Sequence, residues 1–235
     1  MLKIENLNKS FDQTDDVQLL ENLCLEVPAG SSVSIQGASG CGKSTLLSLI
    51  AGFDFPDSGN IFVDGTSLSN TADLDSFRKN QLGIVFQSFN LFDCFNVWDN
   101  IAFTARLKGN YNKAYQQELM HSLGIYGLAT KPVSVLSGGE QQRCAIARAL
   151  IHKPSLVLAD EPTGNLDESN SDAVASLLYE TCLRTNTSLV LVTHSNQVAQ
   201  QANTSFLLKR GKLEEITNLH KRSITTGTHN HLLCN

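Results

Sequence analysis

Nine residues, Gly37-Ala38-Ser39-Gly40-Cys41-Gly42-Lys43-Ser44-Thr45, constrain this chain more than any other stretch. They fit G-x-x-x-x-G-K-[ST], a loop whose glycines let the backbone curl until successive N–H groups face one polyphosphate. A helix beginning near Lys43 adds its positive end to the same anion site. Lys43 is placed to reach the outer phosphates, and the Ser44 hydroxyl to hold Mg²⁺. The flanks agree with the motif. Ser32-Val33-Ser34-Ile35-Gln36 alternates as a strand does, and Leu46, Leu47, Leu49 and Ile50 form an apolar helix face behind the loop.

Three further runs share a different plan. Gly83-Ile84-Val85-Phe86-Gln87, Leu156-Val157-Leu158-Ala159-Asp160 and the run from Ser188 to His194 are apolar and end in polar groups. Continuous apolar runs suit parallel strands covered on both faces. Ligands of open α/β sheets gather at the carboxyl ends of such strands. The pattern therefore predicts one site built from the loop, Gln87, Asp160, Glu161 and His194. Asp160 and Glu161 are expected on alternate sides of an extended strand end, with Pro162 keeping Glu161 out of helical conformation.

The remaining chain divides by pattern. Leu2 to Leu7 and Leu23 to Val27 alternate, and Ile61-Phe62-Val63 precedes an Asp64-Gly65 turn, which predicts a small antiparallel sheet at the N-terminus. Between about 91 and 153 the apolar spacing becomes helical, as in Trp98, Ile101, Ala102 and Ala105, which reads as a helical lobe inserted in the core. Another amphipathic helix carries Val174, Leu177, Leu178 and Thr181. Residues 1–217 read as one domain and 218–235 as a polar tail. His229, His231 and Cys234 in that tail are expected to be frayed chain rather than a metal site.

Composition narrows the classes. A net charge of −5 and no basic stripe argue against a nucleic-acid partner. No stretch reaches bilayer-spanning length and the N-terminus has no signal-peptide core, so the chain is expected to be neither secreted nor embedded by itself. Six cysteines without a C-x-x-C pair are expected to be reduced thiols, with Cys41 open to alkylation.

A second motif, Leu136-Ser137-Gly138-Gly139-Glu140-Gln141-Gln142-Arg143, has capping-box spacing from Ser137 to Glu140. Two glycines at a helix start cost stability unless something approaches the backbone closely. Their bare amides make a second anion site.

With both motifs in order, residues 1–216 resemble the nucleotide-binding domain of ATP-binding cassette (ABC) proteins. The resemblance implies a P-loop NTPase (RecA-like) α/β fold: a mainly parallel core sheet, an N-terminal antiparallel β subdomain and an inserted helical subdomain. It implies ATP and Mg²⁺ as ligands, and hydrolysis to ADP and phosphate. It also implies a head-to-tail homodimer in which each ATP lies between Lys43 of one subunit and Ser137-Gly138-Gly139-Glu140 of the other. Phe11 matches the aromatic that stacks on adenine, and Gln87 the residue that touches Mg²⁺ and the attacking water. Asp160 matches the Mg²⁺ acid, and Glu161 the general base. Asn165-Leu166-Asp167 matches the loop at the dimer interface, and His194 the γ-phosphate contact. Ser195 stands where aspartate is common.

Leu158 to Asp167, with the phosphate loop, is similar to the LolD/MacB/FtsE branch. That branch implies a separate integral membrane subunit, at the cytoplasmic face of the inner membrane, driven for lipoprotein release or efflux. The alternative is an FtsE-like regulator that moves a membrane or cell-wall partner without transport. Phe89-Asn90-Leu91-Phe92-Asp93-Cys94-Phe95 is too apolar for a solvated loop and is expected to form part of the groove for that membrane subunit.

Overall fold

A computed structural model of the chain describes residues 1–10, 18–69 and 73–216. Phe11 and the tail from 218 lie outside these residues, and with them the adenine-stacking and frayed-tail expectations.

Alternation builds the N-terminal sheet. β1 (Leu2–Ser10), β2 (Gln18–Val27), β4 (Ser58–Val63) and β5 (Thr66–Ser67) are antiparallel in the order β2-β1-β4-β5. Leu2 and Ile4 face the core, and the alternation then slips. Asn6 takes φ +49° at a break in register between Ile4 and Leu7, so Leu7 returns to the buried face. A bulge is the usual way to insert one residue without losing that face.

The second sheet holds β3 (Ser32–Gln36), β6 (Leu82–Val85), β7 (Leu156–Asp160), β8 (Ser188–Val192), β9 (Thr204–Lys209) and β10 (Lys212–Glu215). Its order is β10-β9-β3-β8-β7-β6, parallel throughout except for β10 at the edge. Both faces are covered, which explains the unbroken apolar runs. Leu156, Leu158, Val190 and Val192 pack with Leu46, Leu49 and Ile50 of α1 (Lys43–Ile50). Val157, Ala159, Leu189 and Leu191 pack on the opposite face with the helices that follow β6.

Between β6 and β7 the chain is helical. α3 (Val97–Lys108) starts on an Asn96 cap, α4 (Lys113–Ser122) on Asn112, and α5 (Gly138–Leu150) on Ser137. α2 (Leu74–Gln81) precedes β6, and α6 (Glu168–Arg184) and α7 (Asn196–Ala199) flank β8. One apolar cluster joins Val97, Ile101 and Ala105 of α3, Cys144 and Ala147 of α5, and the buried strands. α5 is thus packed directly on the sheet, and its start is held at a set distance from the strand ends. Among the described residues no helix is long and apolar enough to cross a membrane. Among the described residues, Cys41, Cys94, Cys144 and Cys182 are free thiols, as expected.

Candidate functional site

The parallel order puts the ends of β6, β7, β8 and β3 side by side. A cleft of about 280 Å³ lies there, lined by Ser39, Gly40, Gly42, Lys43, Ser44, Thr45, Gln87, Asp160, Glu161 and His194. Residues from four separate runs of sequence meet as the strand ends predicted. Gly37, Ala38 and Cys41 belong to the same loop without lining the cleft, and neither do Ser137, Gly138, Gly139 and Glu140.

The loop is held from within. Lys43 is 6% exposed, and its ammonium donates to the carbonyls of Gly37 at 2.9 Å and Ala38 at 3.0 Å. Those bonds turn the two carbonyls toward Lys43, and the Cys41 N–H donates to the Ala38 carbonyl at 3.3 Å. Gly42 caps α1 with φ +105° and no side-chain cap, a conformation that L side chains avoid. The first intrahelical bond runs from Leu46 N–H to Gly42 O at 2.8 Å, so the amides of Lys43, Ser44 and Thr45 have no acceptor in their helix. Cys41 points its sulfur under the loop toward Gly37, away from the cleft.

Ser44 Oγ donates to Asp160 Oδ1 at 3.3 Å. A hydroxyl, a carboxylate and the nearby Gln87 amide form a set of hard oxygen donors. That set suits Mg²⁺, which keeps most of its coordination for water and phosphate oxygens.

Glu161 departs from the extended geometry expected of it. β7 ends at Asp160, and Glu161 takes φ +45°. Left-handed backbone at a non-glycine residue costs on the order of 1–3 kcal/mol and collects at functional sites. Bonds on both sides maintain it: its N–H donates to Val192 O at 3.1 Å, and its carbonyl accepts from Gly164 N–H at 3.0 Å. The carboxylate accepts the His194 backbone N–H at 3.2 Å through Oε2. The His194 ring Nε2 sits 3.0 Å from Oε1, within ion-pair reach but not aligned as a hydrogen bond. Burial raises the Glu161 carboxyl above its usual range; His194 and Lys43 oppose that shift.

Two partners of Gln87 lie in the stretch after Glu161. Asn165 Nδ2 donates to Gln87 O at 2.9 Å, and Gln87 Nε2 reaches Asn165 Oδ1 at 3.4 Å. A Cβ on Gly164 would lie 2.9 Å from Gln87 Nε2, so a larger residue there would displace the end of the Gln87 side chain. Spacing carried no sign of this pairing, because the two residues are 78 positions apart. The His194 loop is anchored likewise: Gln36 Nε2 donates to Asn196 Oδ1 at 2.5 Å, and Ser195 caps α7.

α5 begins with the expected capping box. Glu140 accepts from Ser137 N–H at 2.8 Å and Ser137 Oγ at 2.7 Å, and the Glu140 amide returns to Ser137 Oγ at 3.4 Å.

The family model described as ABC transporter matches residues 20–164. This chain belongs to the ABC transporter family. Among its relatives, the lipoprotein-releasing system ATP-binding protein LolD of Psychrobacter arcticus is 41% identical over 91% of this chain and 98% of that protein. The ABC transporter ATP-binding protein YxdL of Bacillus subtilis is 37% identical over 91% and 85%. Among solved structures, the ATP-binding cassette MJ0796, dimeric and bound to ADP and Pi after hydrolysis, superposes with a TM-score of 0.78. It is 32% identical and covers 91% of this chain and 97% of its own. The two-sheet α/β architecture here is therefore that of an ABC ATPase cassette.

Proposed function

We propose that this member of the ABC transporter family binds and hydrolyses ATP with Mg²⁺ and drives a separate membrane subunit that releases lipoproteins. The observation that carries it is the single cleft where Lys43, Ser44, Gln87, Asp160, Glu161 and His194 converge. The reading of lipoprotein release rests on the similarity to LolD over nearly the whole of both chains.

In this reading the amides of residues 39–45 and Lys43 hold the β- and γ-phosphates of ATP. Ser44, Asp160 and Gln87 hold Mg²⁺, which neutralises phosphate charge and supplies Lewis acidity when bound. Glu161 takes the proton of the attacking water; burial raises its pKa, which makes it a stronger base than an exposed carboxylate. His194 orients that carboxylate and reaches toward the γ-phosphate. Positioning and electrostatics do most of the work in phosphoryl transfer.

Ser137, Gly138, Gly139 and Glu140 do not line this chain's own cleft, which supports a homodimer in which they complete the partner's site. MJ0796 is itself dimeric. The membrane subunit is read onto an aromatic surface. Phe92 is 38% and Phe103 36% exposed, with rings 4.8 Å apart, and Phe95 stands 5.6 Å from Phe92. Attachment through this surface puts the chain on the cytoplasmic face of its membrane.

The test is Glu161→Gln. Wild type is expected to hydrolyse Mg-ATP, and the variant to bind ATP, lose turnover by roughly 10²–10⁴-fold and accumulate as a dimer in light scattering. A monomeric variant under saturating Mg-ATP sinks the shared site. Co-purification with a cell-wall hydrolase complex in place of a lipoprotein-releasing membrane subunit overturns the transport reading.

A further inference from the structure

Arg148 lies in the last turn of α5 and is 7% exposed. On its helix face Cys144, Ala145 and Ile151 are buried, as is the polar His152 one turn on. A guanidinium in such surroundings needs partners for its donors. Among the described residues it pairs with no carboxylate. Nη1 donates to the Asn90 carbonyl at 2.5 Å and Nη2 to the Phe89 carbonyl at 2.9 Å. The guanidinium carbon stands 5.5 Å from the centre of the Phe92 ring. Burial pushes its pKa below the usual arginine range, but it stays a cation.

The acceptors are unusual. Phe89 and Asn90 both have positive φ, +59° and +51°. Neither is glycine, so the pair persists only where its surroundings hold it. Two successive residues of one helical sense point their carbonyls the same way, and a planar guanidinium fork can serve both. A lysine offers one point charge and cannot reproduce the fork.

This strained pair follows Gln87 with one residue between. Asn90 N–H bonds to Ser88 O at 2.6 Å, and Phe89 N–H to Phe86 O at 3.4 Å, so the turn from 86 to 90 is tight. The Phe89 ring also reaches the other end of α5: its Cζ lies 3.8 Å from where a Cβ on Gly138 would stand. The segment is therefore bracketed along α5, at Gly138 by a ring and at Arg148 by two hydrogen bonds.

We propose that Arg148 is a positioning residue for Gln87. It holds the left-handed Phe89–Asn90 turn against α5, and thereby links the placement of Gln87 in one cleft to the helix that begins at Ser137-Gly138-Gly139. The inference rests on the ATPase reading for its kinetic consequence, and not for the clamp itself.

Two measurements test it. The first is ATP hydrolysis by wild type, Arg148→Lys, Arg148→Met, Gln87→Ala and the double variant Gln87→Ala/Arg148→Met. Arg148→Met is expected to lower kcat about tenfold with KM within about twofold, and Arg148→Lys to fall between, because charged hydrogen bonds are lost from a loop that orients the reaction. In the Gln87→Ala background the same change is expected to add nothing, since residues acting through one another are non-additive. A full additional loss in that background, or a rise in KM with kcat unchanged, overturns the proposal. If Arg148→Met does not melt cooperatively, Arg148→Lys takes its place in the cycle. The second is amide hydrogen exchange at residues 87–91 without nucleotide, expected to quicken in the Arg148 variants. Unchanged exchange overturns the clamp whatever the kinetics. Wild type without ATPase activity overturns the functional reading and leaves the exchange result to decide the clamp.

Discussion

Two helix starts in this molecule carry glycines and face opposite problems. α1 opens on Gly42 without a side-chain cap, has no acid in its first turn, and buries a lysine there. A cation at the positive end of a helix is unfavourable. The loop carbonyls of Gly37 and Ala38 compensate in part. α5 opens on a complete capping box, with the carboxylate of Glu140 at its positive end. The first start is left short of negative charge, as a polyphosphate site needs. The second is satisfied within its own chain and keeps only the amides of Gly138 and Gly139 without helical acceptors. The contrast is the one expected if the first start binds the ligand and the second completes the site of another subunit, as proposed above.

Lys43→Ala strikes the first start and has the largest expected effect. Turnover should fall by at least ~100-fold, because in the proposed reading the removed charge serves the phosphates in a preorganised site; an ATPase assay with saturating Mg-ATP measures it, and near-normal turnover breaks the contrast at its root. Gly138→Val acts on the second start. The added side chain meets Leu166 and Phe89 and is expected to hinder approach to the bare amides. ATP binding by the monomer should persist while turnover drops roughly 10–100-fold, read by equilibrium binding alongside hydrolysis. Equal loss of both would mean that the two starts serve one cleft.

Ser137→Ala removes the cap itself. It should cost about 1 kcal/mol, a fall in Tm of roughly 2–4 °C for a chain this long, measured by thermal melts without nucleotide. Glu140→Gln keeps the box geometry and should change stability at neutral pH by less than about 0.5 kcal/mol. Its signature is in acid. Hydrogen bonds from the Ser137 hydroxyl and amide lower the Glu140 pKa from 4.5. A lowered pKa contributes stability above the unfolded value, and that contribution is lost as pH falls through the folded one. Melts below pH 4.5 should therefore show a loss in wild type that is missing in Glu140→Gln; parallel curves would remove the charge from the account of this cap.

Local chemistry made much of the site legible. Gly37 to Thr45, the Ser137–Glu140 box and the polar ends of the apolar runs depend on neighbours a few residues away, and each stands in the structure where its spacing put it. Glu161 is not extended as its neighbours predict, because its left-handed φ depends on Val192 and Gly164, partners supplied by the next strand and a turn. Arg148 is a charge on a mostly apolar helix turn, but its hydrogen bonds go to Phe89 and Asn90, 59 and 58 positions away.

The sequence by itself determined a phosphate loop between strand and helix, a capped second helix start and membership of a family, since these follow from backbone conformation and short-range spacing. Only the tertiary structure decided which way Glu161 turns, that Asn165 holds Gln87, and that Arg148 ties the Gln87 loop to α5. The reason is physical: a carbonyl left unpaired locally takes whatever donor the packed sheet and helices bring within reach, and no local pattern encodes which one that is.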